Sequence, residues 1–108
     1  SFLQYNLVGK DENGRLTFPY FNDNMEVIAI KHHKGKNGEA PYWHKGGDNR
    51  AKWYNVWNLP LYKRHKSLII SEGEPDVIKL CKYGFQAICS SAGTNSVPPI
   101  IPRLKEWL

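Results

Sequence analysis

SLIISEGEPDVIKLCKYGFQAICS, residues 67–90, decides the fold of the second half of this chain. Residues 67–71 (SLIIS) form a continuous apolar run of the kind buried in a parallel sheet. Glu72-Gly73-Glu74-Pro75 follows, and Pro75 suits the first turn of a helix, with Asp76 beside it. Val77, Ile78, Leu80 and Cys81 give that helix an apolar face, and Gly84 stops it. Residues 85–89 (FQAIC) read as the next strand, residues 90–95 as a small-residue loop, and residues 98–108 as the opening of a second helix. A β-loop-α-β-loop-α order favours neighbouring parallel strands joined by a crossover helix.

Upstream the style differs. Residues 16–20 and 27–31 are short β-prone runs around the turn cluster Asn22-Asp23-Asn24, the pattern of a β-hairpin. Asp11 to Gly14 make an earlier turn, and residues 34–38 and 46–49 read as loops. Residues 51–59 fit a short helix or a strand, ended by Pro60. The expected class is therefore α+β. An N-terminal antiparallel hairpin subdomain, residues 1–66, is followed by a β-α-β-α unit, residues 67–108.

Charge is uneven. Residues 1–66 hold 11 Lys and Arg against 6 Asp and Glu, whereas residues 67–108 hold 4 of each. Residues 31–66 are the steepest stretch, at 9 basic to 2 acidic, with four histidines and the aromatics Tyr42, Trp43, Trp53, Tyr54, Trp57 and Tyr62 interleaved. Cations pair with phosphates and rings stack on bases, so this suits a single-stranded polyanion. A solvated face over an aromatic mini-core has the same composition, and core filling is the expected role for at least one of Trp43 and Trp53. No run approaches a membrane span, and there is no basic flank leading an apolar signal segment. Two cysteines, Cys81 and Cys89, make no disulfide framework and fit buried thiols in a reducing, cytoplasmic setting. The chain begins without Met and stops inside an amphipathic segment, so a piece of a longer protein is expected.

Three carboxylates, Glu72, Glu74 and Asp76, lie just past the end of the apolar strand, the edge where open α/β sheets bind ligands. Such a cluster invites a hard divalent ion, Mg2+ or Mn2+. Acidic residues in a first helical turn also answer the helix dipole, which serves for Asp76 and Glu74 but explains Glu72 less well. His32 and His33 are adjacent on a strand and project to opposite faces, so they do not share a metal. The loop Ser90-Ser91-Ala92-Gly93-Thr94 has backbone suited to a phosphate but lacks a P-loop lysine, and reads equally as a plain turn.

LIISEGEPDVIKLCKYGFQAICSSAGTNS, residues 68–96, resembles the first half of a Toprim domain, the fold shared by bacterial-type primases, topoisomerases and some nucleases. GRLTFPYFNDNMEVIAIKHH (14–33), YWHKGG (42–47) and WYNVWNL (53–59) are similar to the segment preceding Toprim in primases and phage primase–helicases. The resemblance implies that Glu72 is a metal ligand or general acid/base in phosphoryl transfer. Gly73 and Gly93 would permit close backbone approach, and Glu74 and Asp76 would support the metal. Arg15, Lys31, Lys45, Arg50 and Lys52, with Trp43, are the groove residues implied to hold nucleic acid or nucleotide. The implied whole is a DNA primase of bacterial, phage or mobile-element origin, possessing or lacking a helicase domain in the same chain. It would make RNA primers on single-stranded DNA from ribonucleoside triphosphates, with Mg2+ or Mn2+. The Asp-x-Asp strand that completes a Toprim metal site has no counterpart after Asp76, where Glu106 is the only later carboxylate. The chain is thus expected to be inactive alone, with an open sheet edge through which it can self-associate. Two other readings share these residues: a different Toprim enzyme, a topoisomerase or nuclease, and a non-catalytic single-strand-binding module.

Overall fold

A computed structural model of the chain describes residues 6–49 and 51–91. The chain divides into two compact units, residues 1–51 and 52–108.

In the first unit four strands form one antiparallel sheet in the order β1-β2-β3-β4: Gly9–Lys10, Leu16–Phe21, Val27–His32 and Tyr42–Trp43. The expected hairpin is its centre, with Pro19 opposite Ile30 and a bulge between Tyr20 and Phe21. The Asn22 carboxamide oxygen accepts from the backbone N–H groups of Asn24 and Glu26, the side-chain turn that makes asparagine a turn former. Met25 closes this turn in the left-handed region, at φ 62°. Phe18, Tyr20, Phe21 and Ala29 are buried on this sheet.

In the second unit the order is β5-β7-β6. β6 (Leu68–Ser71) and β7 (Gln86–Ser90) are parallel, joined through helix α1 (Glu74–Lys82), as the 67–90 pattern implies. Gly84, at φ 87°, turns the chain out of α1. Glu74 and Asp76 stand in the first turn of α1 and Lys79 and Lys82 in the last, each complementing the dipole.

Two expectations are corrected. The fully buried strand is β7, whose Ala87, Ile88 and Cys89 are sealed from solvent, and not residues 67–71. β6 is an edge of the described sheet and leaves Ile70 54% exposed. Pro60 does not end its element: a 3₁₀ helix runs Val56–Leu61 straight through it, since proline's fixed φ matches 3₁₀ geometry. The two compact units meet between Ala51 and Lys52. Trp53–Tyr54 forms β5, which pairs antiparallel with Ser90 and Cys89 of β7. Trp53, Leu59 and Ile88 then pack together with Val56, Tyr62 and Leu68 against them. The loop beyond Ser91 and the helix expected at 98–108 lie outside the described residues.

Asn55, unremarked in the sequence, organises this unit. It sits at φ 69° before the 3₁₀ helix, fully buried. Its amide donates to the Ala87 carbonyl at 2.9 Å and to the Tyr62 hydroxyl, and its oxygen accepts from the Asn58 amide. Burial pushes the Tyr62 phenol up, and the neighbouring Cys81 thiol adds to the rise. Both cysteines are free.

Candidate functional site

Glu72 follows the carboxyl end of β6 directly and is exposed; Gly73 is the extended residue that leads into α1. The Gly73 carbonyl accepts from the Val77 N–H, closing the first turn. The three carboxylates do not converge. Glu74 is buried, 2% exposed, whereas Glu72 and Asp76 face solvent. Among the described residues no three His, Cys, Asp or Glu side chains group closely enough to hold a metal ion. The described residues thus do not form a metal site by themselves.

The implied nucleic-acid residues divide between the units. Lys52 belongs to the second unit and is exposed; Arg50 and Gly93 lie outside the described residues. In the first unit Lys31 is buried on β3, opposite Trp43 of β4, and Lys45 is exposed. Trp53 is core, as expected of one of the two tryptophans, and Trp43 is 40% exposed, its ring edge-on to Tyr20 at 5.0 Å. Arg15 is engaged within the fold. Its Nη1 donates to the carbonyls of His33 and Ala40, at 3.3 and 3.0 Å, and its guanidinium lies 5.1 Å over the Tyr42 ring.

Around Tyr42 the structure assembles a polar chain that sequence reading missed. His32 Nδ1 lies 2.8 Å from Asp11 Oδ2, and His32 Nε2 lies 3.2 Å from His44 Nδ1. Tyr42 stacks on the His32 ring at 4.3 Å with 9° between planes. The Asp11 and His32 side chains are 10% and 8% exposed; His44 is exposed. The bond to His32 holds the Asp11 carboxyl below its ordinary value, with backbone N–H groups of Arg15 and Asn13 adding to the effect. The neighbouring His33 ring packs edge-on against Phe18. Residues 11, 32 and 44 meet only through the pairing of β3 with β4 and the turn after β1, so no spacing in the sequence could have revealed them.

The described arrangement is a basic, aromatic-edged antiparallel sheet and a β-α-β unit with a carboxylate at the end of its parallel edge strand. No family model matches the chain. The chain is 27% identical to the DNA primase of Lactococcus lactis subsp. lactis (strain IL1403), in an alignment covering 85% of this chain and 16% of that protein. Its fold matches the crystal structure of a DNA primase domain from Pseudomonas aeruginosa with a TM-score of 0.56, at 19% identity, over 88% of this chain and 34% of that one. The first likeness relates the chain distantly to DNA primases, and the second is a likeness of fold. No helix among the described residues is long and apolar enough to cross a membrane.

Proposed function

We propose that this chain is the strand-holding part, with the first acidic corner, of a cytoplasmic DNA primase built on the Toprim pattern. The carrying observation is Glu72, exposed where parallel strand β6 hands over to α1, the position that the Toprim resemblance gives to its glutamate. In the whole protein Glu72 would be one ligand of a bound Mg2+ or Mn2+, which would supply Lewis-acid chemistry for nucleotidyl transfer. This chain's share is to hold template beside exposed Trp43 and Lys45 and to offer one carboxylate. Alone it incorporates no nucleotide.

The test is ribonucleotide incorporation on single-stranded DNA by the protein continued past Leu108, set against its Glu72→Gln variant. Metal-dependent primers that vanish with Glu72→Gln are expected. Primer synthesis unchanged by that substitution would refute the assignment. A second reading that exposed Trp43 and Lys45 also fit is a metal-indifferent strand-binding module. In that case the protein binds the strand, makes no primer, and ignores Mg2+.

A further inference from the structure

Residues 31–47 carry four lysines, Lys31, Lys34, Lys36 and Lys45, and one carboxylate, Glu39. That carboxylate is not paired with a cation. Lys34 and Lys36 are both exposed, and neither is ion-paired among the described residues. Glu39 instead turns back into the loop between β3 and β4, where its Oε2 accepts from the Asn37 backbone N–H at 3.1 Å. It lies directly over Gly35: a Cβ added there would run into the carboxylate and meet its Cδ at 2.7 Å. Gly35 does not hold a left-handed φ, so the position asks glycine for space and not for backbone freedom.

The loop around this contact is tied at several points. The Gly35 N–H donates to the Glu39 carbonyl at 2.8 Å, and the Gly38 N–H donates to the Gly35 carbonyl at 3.0 Å, with Gly38 at φ 87°. The Arg15 guanidinium holds the carbonyls of His33 and Ala40, one at each end of the loop. A backbone N–H beside a bare glycine surface is how a turn receives an oxyanion, and here the chain's own carboxylate fills that place.

We propose that residues 34–39 form a cradle for a phosphate group, with Glu39 as its built-in competitor, the anion that an arriving phosphate displaces. A phosphate group carries more negative charge and more acceptor oxygens than a carboxylate. It can therefore draw in Lys34 and Lys36, which Glu39 leaves unpaired. A free polyphosphate and the backbone of a single strand share this chemistry. The cradle belongs to the first unit and needs neither Glu72 nor a metal.

The test uses the 108-residue chain beside Glu39→Ala and Glu12→Ala. Glu12 is exposed in the turn after β1, and its loss changes the net charge equally. Sodium triphosphate and, separately, (dT)12 are titrated while the backbone amides are followed by 1H–15N NMR. Glu39→Ala should bind roughly fivefold tighter than wild type, the upper worth of one exposed ionic contact. The Asn37 amide should move on binding, and Glu12→Ala should match wild type. Adding Gly35→Ala to Glu39→Ala should return the affinity to that of wild type or below, because the methyl group takes the oxyanion's place on a backbone that alanine accepts. Amides outside residues 33–41 should be unmoved by these loop substitutions, which verifies that the fold persists.

Equal gains from Glu39→Ala and Glu12→Ala would reduce the effect to net charge and overturn the cradle. A gain that survives Gly35→Ala, or that leaves the Asn37 amide unmoved, overturns the site. A response to triphosphate with none to (dT)12 assigns the cradle to free polyphosphate, and the reverse assigns it to a strand. Silence of the Asn37 amide toward both overturns the proposal.

Discussion

Replacing Asn55 by alanine should cost the second unit about 3 kcal/mol, and the parts can be separated. The residue holds φ 69°, a left-handed conformation that costs a non-glycine residue about 1 kcal/mol and that asparagine tolerates best. Its side chain accepts from the Asn58 amide, which is buried and would lose that acceptor, at about 1–3 kcal/mol. The Ala87 carbonyl suffers less, because the Tyr62 hydroxyl also donates to it at 3.2 Å. Asn55→Gly removes the same hydrogen bonds and relieves the backbone, so it should cost about 2 kcal/mol, roughly 1 kcal/mol less than alanine. The assay is urea unfolding followed by the fluorescence of Trp53 and Trp57, both buried in this unit. Glycine and alanine variants of equal stability would refute the backbone share. An alanine variant within about 0.5 kcal/mol of wild type, the range of an ordinary surface change, would refute the hydrogen-bonding share too.

Met25→Gly should raise stability by about 0.5–1 kcal/mol in thermal or urea melts, since Met25 holds φ 62° at an exposed turn and glycine is unstrained there. Asp11 is held below its ordinary 3.8, so its contribution is present above that value and is lost as pH falls through the lower folded value. Melting of the first unit should therefore weaken with acid below pH 3.8, and Asp11→Asn should flatten that fall in a pH series of melts. Residues 52–108 expressed alone should unfold cooperatively by near-UV circular dichroism. Residues 67–108 should not, because they lack the Trp53 and Leu59 share of the core and the strand that covers one edge of β7.

What was legible in the sequence is what neighbouring residues decide. The hairpin at 16–31 announces itself through two short β-prone runs around an Asn-Asp-Asn turn, and both strands and their pairing are there. The β-α-β order of 67–90 follows from an apolar run, a helix-starting proline and a glycine stop, and the parallel pairing follows from that order. What was illegible depends on partners distant in the chain. Trp53-Tyr54 reads as helix or strand because only β7, more than thirty residues later, settles it. Ile70 looks like core because its composition does not reveal that β6 stands at an edge. The same blindness hid the Asp11, His32 and His44 contacts, which span 21 and 12 residues.

The acidic cluster shows the converse: nearness in sequence is not nearness in space. On an α-helix two residues apart are about 200° apart around the axis, so Glu74 and Asp76 occupy opposite faces. Glu74 shares a face with Val77, three residues on, and both are buried. Asp76 takes the other side and is exposed, and Glu72 precedes the helix altogether. Spacing alone, applied once the helix start is fixed by Pro75, thus separates one inward carboxylate from two outward ones. On the proposed reading Glu72, exposed beyond β6, can be changed to Gln without touching the fold, and Glu72→Gln should abolish metal-dependent primer synthesis in the whole protein. Glu74→Gln, by contrast, should be felt first as lost stability.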